Sequence, residues 1–127
     1  MSGHASLAGH RVLVVEDEEL IGLMLVDVLE ELGAAVVGPA GTVAEALQLV
    51  EQGALTGALL DLSLRGEEVY PVADRLLQQG VPYMFITGYG QGQLVLRHGH
   101  APVLTKPFGA VQLASALSRA GWVACGV

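Results

Sequence analysis

The chain has 127 residues, a formal net charge of −7 and a single cysteine, Cys125. This length suits one domain that buries roughly two-thirds of the surface of its unfolded chain, so folding needs neither a metal nor a disulfide. The acidic balance argues against nucleic-acid binding through a basic patch, and no apolar run approaches the roughly 20 residues that span a bilayer.

The N-terminus, Met1–Ser6, lacks a basic region followed by an apolar core, so no signal peptide is read there. It looks like a frayed end or an expression remnant, and residues 1–10 are taken as an extension. The apolar run Val12–Val15 then ends in Glu16 and Asp17 and reads as a buried strand over 11–16. A helix follows from Glu18 to Leu32, stopped by Gly33, with Asp17 placed to cap it. Its core stripe is Ile21, Leu25, Val28, Leu29 and Leu32. Leu20 and Leu23 lie off the stripe, as ordinary partly exposed residues or as a docking surface for a partner helix.

A second strand, Ala34–Gly38, is closed by Pro39, and Thr42 with Glu45 forms a capping-box pattern for a helix ending near Gln52. The third strand, about Thr56–Leu60, delivers Asp61. A loop, Ser63–Gly66, leads to a helix over about Glu67–Gln79, with Pro71 near its start. The fourth strand, Val81–Ile86, delivers Thr87 and Gly88, and a short helix is expected over Gln91–His98. The fifth strand, Ala101–Thr105, ends in Lys106–Pro107, and the last helix covers about Gly109–Ala120. The domain is thus placed at 11–121, with 122–127 as a short tail.

Five βα units in succession predict an α/β fold: a parallel five-stranded sheet, doubly wound, with the flavodoxin-like order 2-1-3-4-5. This order sets the ends of strands 1 and 3 side by side, so Glu16, Asp17 and Asp61 should converge. Three crowded carboxylates call for a cation, and oxygen ligands alone favour Mg2+, with Mn2+ as an alternative, over zinc. The pair His98 and His100 reads as solvent-exposed rather than metal-binding. Lys106 is the only lysine in the chain, at a strand end that suits a compact, single-point ammonium. With Thr87 and backbone N–H groups past the strand ends (Leu62 and Gly88), it completes a cage for a tetrahedral dianion, in which a carboxylate could become an aspartyl phosphate.

Glu16–Asp17, Asp61, Thr87 and Lys106–Pro107, in this order and spacing, resemble the response-regulator receiver domain of two-component signalling, over about residues 11–120. The resemblance implies that Asp61 is the phosphoacceptor. It implies magnesium binding by Asp17, Glu16, Asp61 and the backbone carbonyl of Ser63, and phosphoryl contacts from Thr87 and Lys106. It also implies a cis bond before Pro107. The aromatic residue common in the fifth strand is replaced by Val103, and Phe85–Gly90 is similar to a subclass with a Phe-Ala-Thr-Gly-Tyr type motif. Tyr89 is therefore either the switch residue or a flanking screen.

The expected function is that of a stand-alone, cytoplasmic receiver, a phosphoacceptor rather than an enzyme, though able to take phosphoryl from small donors. It would be fed by a histidine kinase or phosphotransfer protein and would signal through protein contact or act as a phosphate sink. Neither nucleic acid nor membrane is an expected partner, and the expected state is a monomer or weak homodimer. A metal-dependent phosphatase is disfavoured because Ser63 stands where such enzymes carry a second acid. A pseudo-receiver is disfavoured by the intact Asp61, Thr87 and Lys106 set, and a receiver cut from a larger regulator remains a variant.

Overall fold

The computed structural model describes residues 5–88, 96–122 and 124–125. Its centre is a five-stranded sheet of β1 (Arg11–Val15), β2 (Ala35–Ala40), β3 (Gly57–Asp61), β4 (Tyr83–Thr87) and β5 (Val103–Thr105). The order is β2-β1-β3-β4-β5 and every pairing in it is parallel. Among the described residues four α-helices cover it: α1 (Glu19–Glu31), α2 (Val43–Gln52), α3 (Tyr70–Gln78) and α4 (Ala110–Arg119). The flavodoxin-like, doubly wound arrangement expected from the βα pattern is the one found.

The strands are apolar on both faces because both faces are covered. Leu13, Val15, Leu60 and Phe85 pack with Val50, Val72 and Leu76 of α2 and α3. Val12, Val14, Leu59, Met84 and Ile86 pack with Leu25, Leu29, Leu113 and Leu117 of α1 and α4. Alternation along each strand thus feeds two separate half-cores, and a one-residue slip would exchange them.

Several boundaries differ from the sequence expectation for physical reasons. Strand β2 runs through Pro39 to Ala40. Proline is tolerated there because β2 is an edge strand with an irregular register between Leu13 and Val15 of its neighbour. Asp17 does not cap α1: Glu18 is the N-cap residue, with no side-chain cap bond. Thr42 does cap α2, the Glu45 N–H donating to Thr42 Oγ1 at 3.1 Å, but the expected box is only half made: Glu45 Oε1 accepts from the Gly41 N–H at 3.3 Å and from the Thr42 hydroxyl at 3.2 Å. The loop after Asp61 is a small hairpin, in which Ser63–Leu64 pairs with Glu67–Glu68. Its two-residue turn, Arg65–Gly66, has φ of 49° and 85°, the positive values that tight hairpin turns require. Glu67 and Glu68 are therefore in a strand, and α3 starts only at Tyr70.

The N-terminus is not a frayed end from Ala5 onward. Ala5–Ser6 pairs antiparallel with Ala124–Cys125, and Leu7 is fully buried in the α1/α4 half-core. Trp122 covers Gly57, where an added Cβ would lie 3.1 Å from the indole. Most of the helix expected over Gln91–His98 lies outside the described residues, which show a single 3-10 turn at Leu96–His98. His98 is 0% exposed, not solvated. Its ring bonds to the Tyr83 hydroxyl and to Asp74 Oδ1, the latter at 2.7 Å, and stacks on Tyr70.

Candidate functional site at the strand ends

The β1–β3 ladder ends at Val15↔Leu60, which sets Glu16, just past β1, beside Asp61, the last residue of β3. Glu16 and Asp61 are each only 4% exposed, and Asp17 is half-buried beside them. One carboxylate oxygen from each of the three lies within 4.8 Å of the others. Strand order, not chain proximity, brings Asp61 to the pair.

Lys106 enters from the end of β5, whose ladder continues through a 2.7 Å bond from the Lys106 N–H to the Thr87 carbonyl. Its Nζ lies 3.3 Å from Asp61 Oδ2, 3.4 Å from Glu16 and 3.0 Å from Glu18 Oε1. The Lys106–Pro107 peptide is cis, as is Gly38–Pro39. Thr87 is buried at the end of β4, and Gly88 follows it half-buried. The Ser63 N–H approaches Asp61 Oδ1 at 3.4 Å. Leu62 does not serve as expected: its N–H donates to the Ile86 carbonyl at 2.8 Å, so the sheet ladder has already used it. Tyr89 lies outside the described residues.

The electrostatics follow from burial. Desolvation, reinforced by the neighbouring Asp61, raises the Glu16 carboxyl from 4.5 to about 7. Desolvation also raises Asp61, against the pull of Glu16 and Lys106 contacts and the Ser63 N–H. Burial works against the Lys106 ammonium, but its bond to Glu18 and the charges of Asp61 and Glu16 prevail and raise it to about 12. One ammonium is shared among more negative charge than it can neutralise. Glu16 Oε1 is buried without a hydrogen-bond partner, although the ammonium is 3.4 Å away. An orphaned buried oxygen in an all-oxygen donor set fits a hard divalent cation.

Two contacts were not foreseen. Glu18, read as one of two acids opening α1, holds Lys106 more closely than either buried carboxylate does. The Arg65 N–H donates to Asp17 Oδ2 at 3.0 Å, so the hairpin after Asp61 orients a second acid. The acids at 16–18 were visible as a cluster, but a backbone donor on a tight turn leaves no side-chain signal. Beside the acids, Glu18, Ile21, Met24, Lys106, Pro107 and Phe108 line an open groove of about 370 Å³. Leu20 on the same helix is 80% exposed.

Comparison with known proteins places the chain in a family. Over 114 residues the chain is 32% identical to the transcriptional regulatory protein PdtaR of Mycobacterium tuberculosis, covering 87% of this chain and 56% of PdtaR. It is 33% identical over 113 residues to the phyllosphere-induced regulator PhyR of Methylorubrum extorquens, covering 86% of this chain and 42% of PhyR. The chain thus spans about half the length of the curated relatives it matches. The solution structure of SdrG from Sphingomonas melonis Fr1 is 43% identical with a TM-score of 0.78, covering 89% of this chain and 96% of SdrG. The family model for the response regulator receiver domain matches residues 12–118. The chain belongs to that family, the receiver domains of response regulators in two-component signalling.

Proposed function

We propose that Asp61 accepts a phosphoryl group from the phosphohistidine of a kinase or phosphotransfer protein, in a step that depends on magnesium. The observation that carries this reading is the buried Asp61 carboxylate, with two further acids within 4.8 Å and the Lys106 ammonium at 3.3 Å. An Asp61 oxygen attacks phosphorus, and the P–N bond to the donor imidazole breaks with its electron pair left on nitrogen. The product is an acyl phosphate on Asp61. Lys106 pairs with a phosphoryl oxygen, and Thr87 and the backbone of Gly88 bound the same space. Glu16, Asp17, Asp61 and the Ser63 carbonyl would hold Mg2+ or Mn2+. The ion, when bound, supplies neutralising charge for the phosphoryl oxygens.

The donor docks on α1 beside the acid site, where Leu20 and Leu23, which do not line the groove itself, are exposed and offer apolar contact to a partner helix. The signal then leaves by protein contact, or ends on Asp61 as a phosphate sink, with Tyr89 as the candidate switch. The receiver body takes in residues 11–121 together with Leu7 and the strand pair Ala5–Ser6 with Ala124–Cys125, and acts in the cytoplasm. In free solution it is a monomer or weak homodimer.

The test is incubation with acetyl phosphate, with and without magnesium, followed by intact-mass measurement of wild type and Asp61→Asn. A magnesium-dependent gain of one phosphoryl group, lost in the variant, is expected. No gain, together with an NMR spectrum that does not respond to beryllofluoride, would leave a pseudo-receiver as the better account.

A further inference from the structure

A lysine ammonium has three N–H donors. In this site all three are engaged, with Glu16, Asp61 and Glu18 as acceptors. If Asp61 takes a phosphoryl group and Glu16 takes part in holding a metal ion, as proposed above, two of the three acceptors change character during the reaction. Glu18 has neither task. It is the exposed member of the three, with a side chain 61% exposed, yet it makes the shortest contact, 3.0 Å. It stands at the mouth of the groove with Lys106 and Pro107.

We propose that Glu18 is a positioning residue for Lys106: it is the fixed anchor of the ammonium, holding it in place while the N–H directed at Asp61 passes from the carboxylate to a phosphoryl oxygen. This rests on the reading of Asp61 as the phosphoacceptor. The side chain is free for the task, because Glu18 is the N-cap residue of α1 without a side-chain cap bond. Its backbone N–H, which donates to Glu16 Oε2 at 3.0 Å, survives any substitution except proline.

The sign of the effect distinguishes an anchor from a bystander. Glu18 is negative and close to where a dianion binds. Removing a bystander charge would favour the dianion; removing an anchor disfavours it. The experiment measures beryllofluoride affinity at saturating magnesium and the rate of phosphorylation at saturating acetyl phosphate, for wild type, Glu18→Ala, Glu18→Gln and Glu19→Gln. Glu19 is the neighbouring acid and makes no contact with Lys106 among the described residues, so it serves as the charge control. Because Lys106 is the only lysine, a sample labelled at lysine Cε gives one ε-methylene signal by NMR, next to the ammonium it reports on.

Glu18→Ala is expected to weaken beryllofluoride binding and slow transfer by about two- to fivefold, the range of a partly exposed ion pair. Its Lys106 signal should shift and narrow as the side chain gains freedom. Glu18→Gln, which keeps an oxygen acceptor, should fall between Glu18→Ala and wild type. Glu19→Gln should bind as well as wild type or slightly better. Equal or tighter binding by Glu18→Ala overturns the anchor, as does a loss shared equally by Glu19→Gln. A wild type that fails to bind beryllofluoride removes the phosphoacceptor reading itself, so the two failures are distinct.

Discussion

Ionising Glu16 costs this fold stability, and the effect can be measured. The carboxyl is raised from 4.5 to about 7, first by desolvation and then by Asp61. An acid with a folded-state pKa above its unfolded value binds its proton more tightly when folded. Stability is therefore fullest below the unfolded value, declines as pH rises towards about 7, and levels off above it. At about 1.4 kcal/mol per unit, the shift sets a ceiling of roughly 3 kcal/mol at pH 8. Glu16→Gln escapes this cost and keeps an acceptor for the Glu18 N–H, but it loses charge attraction to Lys106, so about 1–3 kcal/mol of net stabilisation is expected at pH 8. The assay is urea unfolding with a chelator present, followed by circular dichroism and by Trp122 fluorescence, where a gain of about 2 kcal/mol moves the midpoint by roughly 1 M. At about pH 4.5 and below, the variant and wild type should converge. Added magnesium should close or reverse the gap, because the ion stabilises the wild type by mass action and the variant lacks a ligand oxyanion. A Glu16→Gln protein no more stable than wild type at pH 8 would refute the reasoning.

Replacing His98 by alanine should cost about 2–4 kcal/mol in urea unfolding, since it empties a buried site and strands the Tyr83 hydroxyl. Gly38→Ala should destabilise by roughly 2 kcal/mol or more by the same measurement. Gly38 has φ of +103°, and an added Cβ would lie 2.6 Å from the Val14 carbonyl oxygen and 2.9 Å from the Ala40 nitrogen. The paired change Leu20→Ser with Leu23→Ser should slow phosphoryl transfer from a protein donor at least about tenfold, by removing apolar contact area. Acetyl phosphate should phosphorylate that variant at the wild-type rate, and an equal loss with both donors would place the effect in the acid site rather than at the docking face.

The parts of this molecule legible in the sequence are those with local causes. Val12–Val15 and Ala58–Leu60 are apolar in an unbroken run because both faces of the sheet are covered, and such runs announce buried strands. The alternation of strands with helices then fixes the order that sets Asp61 beside Glu16, so a long-range site follows from a short-range pattern. What the sequence hid depends on partners supplied by the finished fold. His98 was read as solvated because, with His100, it forms a histidine pair in an expected loop; its true environment is Tyr83, Asp74 and Tyr70, from β4 and α3. Glu67 and Glu68 were read as the opening of a helix, a fair inference from their charge, but a turn at Arg65–Gly66 folds them back onto Ser63–Leu64 first. Leu7 was placed in the extension over residues 1–10, outside the domain, and its burial among residues of α1 and α4 comes only with the finished fold. Glu18 joins the two classes. Its place beside Glu16 and Asp17 was evident, and its charge was rightly placed at the start of α1. Its contact with Lys106 exists only because β5 lies where the doubly wound order delivers it, across the sheet from the strand that carries the acids.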